Sequence, residues 1–219
     1  MKKANIASFF STLFRGYGFN EKSSCFYKST TDLACFIDFQ KNRGTIYVSF
    51  SLFPFYIPSD FRYITYGNRL EVFTKHQVNP LPTENIGDNE LFQWVDSVKR
   101  LMEREIIPFL QTHLSANSLL EYLKKTCPLN DRFFSCSYYH FYKLGLFSAI
   151  RCNDKAFESI FYEKCLDSIC NYPFTRDSLS SENNLLNLAK ELMKSEEETK
   201  EEIINMIVNE TRQKIINYN

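Results

Sequence analysis

The sequence predicts an α+β protein: an antiparallel sheet of about five strands, covered on its apolar face by two helices, then an all-helical C-terminal region. Three observations carry that prediction. Two runs, Leu33 to Gln40 and Thr45 to Leu52, alternate with the period of two that marks strands, and a short segment holding Gly44 joins them. On either side of this hairpin, over Ile6 to Tyr17 and Leu91 to Phe109, apolar residues return every three or four positions, the spacing of an amphipathic helix. Beyond Asp131 the period of two disappears and helical spacing remains.

The first helix is expected from Ala4 to Tyr17, with Ile6, Phe9, Phe10, Leu13, Phe14 and Tyr17 as its stripe and Gly16 and Gly18 as its stop. A strand at Ser24 to Lys28 and a turn at Ser29 to Asp32 lead into the hairpin. Pairing Gln40 with Thr45 across a turn of Lys41 to Gly44 sets Phe39 opposite Ile46, Ile37 opposite Val48, Cys35 opposite Phe50 and Leu33 opposite Leu52. A slip of one residue would set apolar side chains against polar ones, so the faces are specified. Pro54 and Pro58 mark Phe55 to Ile57 as an edge or loop, because proline lacks the N–H a central strand needs. Phe61 to Tyr66 reads as a fourth strand, Gly67-Asn68 as a two-residue turn and Arg69 to Phe73 as a fifth strand. The polar stretch from Lys75 to Asn89, with Pro80, Pro82 and Gly87, reads as a loop.

The second helix should run from Asp88 or Asn89 to about His113, kinked near Arg104 to Glu105 because Pro108 lies inside it. Ser118 to Glu121 fits a capping box opening a third helix that ends before Cys127-Pro128. Pro128 to Asp131 reads as a boundary between a sheet domain over 1–127 and a helical region over 131–219. That region divides into helices over Phe134 to Ile150, over Lys155 to Cys170 with Phe157, Ile160, Phe161 and Ile169 inward, from near Ser181, and from a capping box at Ser195 onward. The acidic run Glu196 to Glu202 then sits at a helix N-terminus, where negative charge is favourable.

Composition narrows the function. Of 219 residues, 44% are hydrophobic and 16% aromatic, enough for a sizeable core, while only 6 are glycine, which argues against a glycine-rich phosphate loop. The 26 basic and 26 acidic side chains balance, so no basic excess points to nucleic acid or to an anionic membrane. The 7 cysteines are an odd number without a C-x-x-C pair, Met1-Lys2-Lys3 is not followed by an apolar leader, and no apolar run reaches the ~18 residues of a membrane span. A reduced, cytoplasmic chain is the expectation.

Four constellations could carry chemistry. Asp38, Gln40 and Lys41 resemble the strand end of a metal-dependent nuclease, but adjacent strand residues point to opposite faces, which separates Gln40 from Lys41. The histidines, His76, His113 and His140, lack metal-ligand spacing. Cys136 and His140 are four apart, close enough to touch on a helix, but a nucleophilic thiol also needs an electropositive setting that nothing in the sequence supplies. Arg62, Tyr63, Tyr66 and Arg69 could form a stacking and phosphate-tracking face for nucleic acid, or simply the outer face of a sheet. No catalytic residue, metal ligand or cofactor is assigned.

The aromatic residues of the helical half are the stronger signal. Tyr138, Tyr139, Tyr142, Phe147 and Tyr162, together with Phe141, Phe157 and Phe161, exceed what one face of two helices buries. Either the helices dock on the sheet, or Tyr138, Tyr139, Tyr142, Phe147 and Tyr162 form a surface for a partner. The expected function is a non-enzymatic cytoplasmic protein-binding module whose partner is another protein encoded nearby, with no membrane role. The alternative is a nucleic-acid hydrolase using Asp38 and a divalent ion.

The leading helix ending in Gly18-Phe19, the Phe26-Tyr27 strand, Ile37-Asp38-Phe39-Gln40-Lys41, the strand from Gly44 to Phe53 and the later Ile107-Pro108-Phe109-Leu110 together resemble a bacterial family catalogued as domain of unknown function 4304. The resemblance covers the first ~125 residues, the usual size of one domain. It implies a small α+β fold and supplies no catalytic residues. The long helical C-terminal part departs from that pattern. Bacterial defence or toxin neutralisation is the setting in which small proteins of this kind are expected.

Overall fold

The computed structural model describes residues 6–60, 66–84 and 86–217. It is an α+β fold, with an antiparallel sheet in the first half and helices dominating the rest. A 3₁₀ turn at Ile6–Phe10 runs into α1 at Ser11–Gly16. Irregular winding replaces the single helix the spacing predicts, but the stripe is kept: Phe10 and Phe14 are fully buried. Gly18, at φ +78°, ends α1 in a left-handed turn, with the Phe19 and Gly18 N–H groups donating back to Phe14 and Arg15.

The strands are β1 at Asn20–Lys22, β2 at Cys25–Ser29, β3 at Leu33–Asn42, β4 at Thr45–Pro54, β5 at Gly67–Arg69 and β6 at Leu81–Pro82. Strands β1 to β5 lie in sequence order, and β6 pairs with the start of β4. The hairpin of β3 and β4 is two residues longer than expected. Asn42 pairs with Thr45, so Phe39 faces Val48, Ile37 faces Phe50, Cys35 faces Leu52, and Leu33 faces Pro54. The turn is only Arg43-Gly44, both at positive φ (45° and 78°), the geometry of a tight hairpin turn whose twist matches the strands. Because the slip is by two, every side chain keeps its predicted face.

Other expectations on this segment change. Residues 61–65, most of the expected fourth strand, lie outside the described residues. Gly67-Asn68 is not a turn but part of β5, laid so closely on β4 that a Cβ on Gly67 would sit 1.9 Å from the Phe50 carbonyl oxygen. Leu70–Phe73 is a helical turn, α2, not a strand. Four alternating residues are too few to separate the two periods.

Helix α3 spans Asp88–Leu101. A π-helical turn follows at Met102–Ile106, then α4 at Ile107–Thr112. The irregularity falls where Pro108 predicts it: the ring crowds the turn before it, and the Ile107 N–H reaches back five residues to Met102. Helix α5, Ala116–Lys125, is capped by Ser115, whose hydroxyl accepts the Ser118 N–H. Ser118 is therefore inside the helix rather than its cap. A 3₁₀ turn at Pro128–Asn130 leads to α6 at Tyr138–Arg151, α7 at Lys155–Ile169, α8 at Arg176–Lys194 and α9 at Glu197–Asn217. Helix α6 starts four residues later than expected, at a Ser137 cap, and α8 five residues earlier, at a Thr175 cap. Ile160 faces outward (43% exposed), while Phe161 and Ile169 face in.

One continuous core runs from Ala7 to Ile215. On the apolar face, Phe10 packs at a tilt against Phe39 (4.6 Å between ring centroids), Phe14 likewise against Phe26 (4.5 Å), and Trp94 of α3 meets Phe10 edge-on. Further along, Phe133 stacks on Phe109 at 3.7 Å and reaches Phe73 and Phe50. The second face is covered too, with Phe36, Asp38, Ser49 and Ser51 all buried. The helical half is joined to the sheet half through Tyr56 and Ser148 (2.8 Å between hydroxyls), an Arg151–Asp32 ion pair, and the Ser135 N–H donating to Gly67.

Candidate functional site

Helix α6 is the centre of the helical half, and its surroundings decide which aromatic residues are available. Gly145 lets α7 approach: a Cβ there would lie 2.7 Å from the Phe161 ring. With α5, α7 and α8 all packed against α6, ten of its fourteen residues are buried. Tyr139 and Phe147, both expected at a partner surface, are 1% exposed and belong to the core. Their burial corrects the assumption that the aromatic surplus lies outside: a helix enclosed on several sides needs apolar residues all round. Tyr142 and Tyr162 are partly buried, and Tyr138 is 44% exposed.

Two concavities flank the N-terminal half of α6, with Tyr172 between them. The first is a groove of about 370 Å³ bounded by Tyr138, Tyr142, Lys164, Asp167 and Asn171, with Ser137 and Tyr139 at its base. Tyr138 and Tyr142 lie one helical turn apart, rings 6.2 Å from centre to centre, and the Lys164 ammonium sits 5.1 Å from the Tyr142 ring centroid. The second is a half-open cleft of about 650 Å³. One wall is Phe53, Pro54 and Ile57, at and just after the end of β4, with Tyr66. The other is His140 and Lys143 of α6 with the α7–α8 connection and the first turns of α8.

The polar groups of the cleft are ordered by partners within the chain. Lys143 donates to both oxygens of Glu182 at 2.8 Å, and the Tyr139 hydroxyl donates to the same carboxylate at 2.8 Å. Burial, with Glu182 beside it, holds the Tyr139 hydroxyl protonated. His140 packs edge-on against Tyr139 and Tyr172 (5.5 and 5.2 Å) and near Phe174, with Nδ1 2.7 Å from the Ser137 hydroxyl. Burial, helped by the Lys143 charge, lowers its pKa to about 4, so the ring is neutral near pH 7.

The other candidates fall elsewhere. Cys136 precedes α6 rather than sharing its face with His140, and burial pushes its thiol up to about 12, the opposite of what a nucleophile needs. Cys35 and Cys165 are likewise raised to about 12 and Cys152 to about 11, each by burial. Asp38 is not at a strand end: with β3 running to Asn42, it lies mid-strand and buried, opposite Ser49. Gln40 and Lys41 are exposed further along the strand. His113 closes α4 against Phe109 and Tyr122, and His76 lies in the turn after α2. Of the proposed nucleic-acid face, Arg62 and Tyr63 lie outside the described residues. Tyr66 is 7% exposed and Arg69 stacks over Tyr47. Buried Tyr66 is therefore unavailable as a stacking platform. Among the described residues, no group of three or more His, Cys, Asp or Glu could hold a metal ion, and no helix is long and apolar enough to cross a membrane.

The cleft was not visible in the sequence because its walls come from three distant segments. A signal for the groove was present in Tyr138 and Tyr142, one turn apart. Comparison with family models, with curated proteins and with solved structures returns no match for this chain.

Proposed function

We propose that this chain is a non-enzymatic protein-binding module, and that its partner contacts the tyrosine-lined groove between the start of α6 and the end of α7. The observation that carries this reading is the pair of exposed Tyr138 and half-buried Tyr142, bordered by Lys164 and Asp167 beside a preformed concavity. Tyrosines of this kind offer a large apolar ring and a hydroxyl at little entropic cost, and they are enriched where proteins meet. The raised cysteine pKa values and the neutral, packed His140 favour binding over covalent or acid–base chemistry at this end of α6. We extend the reading to a cytoplasmic partner encoded nearby, such as a toxin that this chain neutralises.

The test is co-expression of the full chain with the products of neighbouring genes. A stoichiometric complex is expected, and it should weaken at least tenfold in the Tyr138→Ala/Tyr142→Ala variant while the melting temperature of the isolated chain changes little. Absence of any stoichiometric complex, or a complex indifferent to both substitutions, overturns the proposal.

A further inference from the structure

The 650 Å³ cleft is a separate site from the groove, and its volume is in the range of small-ligand pockets. Its walls differ in character. Tyr172 and Phe174 of the α7–α8 connection, with rings 4.4 Å apart, supply flat aromatic surface, and Phe53 and Ile57 line the opposite wall. The lining also carries two carboxylates, one on each side, and both are already engaged by cations of the chain. Asp60 accepts from Lys214 at 2.7 Å, and Glu182 accepts from Lys143 and from Tyr139.

What the lining still offers is donors. An ammonium has three N–H groups, and among the described residues Lys143, with 7% of its side chain exposed, has protein oxygen partners only in the two Glu182 oxygens. The Ser137 hydroxyl accepts the His140 backbone N–H and lies 2.7 Å from Nδ1. With that hydroxyl proton directed at Nδ1, Nε2 carries the ring hydrogen and is a second donor. The Ser181 hydroxyl, on the exposed side of α8, is a third.

We infer that this cleft binds a small planar aromatic molecule carrying carboxylate or carbonyl oxygens, its ring against the Tyr172 and Phe174 side and its oxygens toward Lys143 and Ser181. The oxygens complete the donor set, and the ring takes the apolar wall. The site is independent of the partner groove except for Tyr172.

The test uses the full chain with 2-naphthoate and 2-naphthamide as probes and cyclohexanecarboxylate as the non-aromatic control, followed by ligand-observed NMR and calorimetric titration. Saturable one-site binding of at least one naphthyl probe below millimolar concentration is expected, with the control at least tenfold weaker. Which naphthyl probe binds tighter identifies the oxygen group preferred. Ser181→Trp, at an exposed helical position on the rim, should fill the cleft and weaken binding at least tenfold without lowering the melting temperature. Tyr138→Ala/Tyr142→Ala should leave it unchanged, which keeps this outcome distinct from the partner test. No saturable binding of either naphthyl probe, equal binding of the control, or binding unaffected by Ser181→Trp overturns the inference.

Discussion

The two halves of the molecule are held by different means. In the sheet half, the joints are aromatic: Phe10, Phe14, Phe26 and Phe39 pack tilted and edge-on across the apolar face, and a Phe109–Phe133 stack extends the same seam. In the helical half, apolar packing is supplemented at two joints by desolvated ion pairs. Lys143 and Glu182 tie α6 to α8. Glu158 and Lys200 tie α7 to α9 at 2.9 Å, with side chains only 1% and 3% exposed. Burial lowers the Lys200 pKa and its neighbour Lys155 adds to this, while Glu158 opposes the shift. Apolar contacts are tolerant of sliding, because one methyl replaces another. A buried charge must meet its partner, so such pairs fix register at a cost in desolvation.

The largest test of that contrast is a double-mutant cycle at the α7–α9 joint. Lys200→Met leaves Glu158 buried with Lys155, at 3.4 Å, as its one remaining ion-pair partner among the described residues, and should cost about 3 kcal/mol or more in chemical denaturation. Adding Glu158→Met should recover most of that loss, because a well-packed apolar pair avoids the desolvation cost. A double variant no more stable than the single one would show that the pair is a net source of stability rather than a pin.

A smaller effect is expected where packing alone sets the helix spacing. Gly145→Ala drives a methyl into the Phe161 ring and should cost about 1–3 kcal/mol. Phe161→Leu in the same chain should relieve part of it. Failure of the second change to help would place the strain in the backbone of α6.

The smallest effect lies in the sheet half, at the hairpin turn. Arg43 holds φ at 45°, a conformation that asparagine accepts more readily than arginine. Arg43→Asn should stabilise the chain by about 0.5–1 kcal/mol, read as a rise in the denaturation midpoint with an unchanged slope. A loss of stability would mean that the Arg43 side chain contributes more than the turn geometry costs.

The same contrast governs how much could be read in advance. The faces of β3 and β4 were legible because alternation repeats every two residues, but that periodicity is blind to a shift of two. The turn decided the register, and nothing in Lys41 to Gly44 announces that Arg43 adopts positive φ. Helix α8 has hydroxyl residues at both Thr175 and Ser181, and only packing selects the first. Of the candidate site, Tyr138 and Tyr142 were visible as neighbours on one helix. Tyr139 and Phe147 were misplaced because the number of sides on which α6 is covered is a tertiary fact. Lys143 and Glu182 are 39 residues apart, beyond the reach of any local pattern.

The π-helical turn at Met102–Ile106 has a consequence for the geometry beyond it. A helix advances about 100° per residue, so the extra residue accommodated there rotates everything downstream by roughly that angle relative to an uninterrupted α-helix. With that offset in place, Phe109 lies flat against Phe133. The segment thus works as a phase adjuster between two helical stretches: winding the same residues as plain α-helix would turn Phe109 away from its ring partner, whereas deleting one of the five would straighten the rod and leave its far end facing as it does.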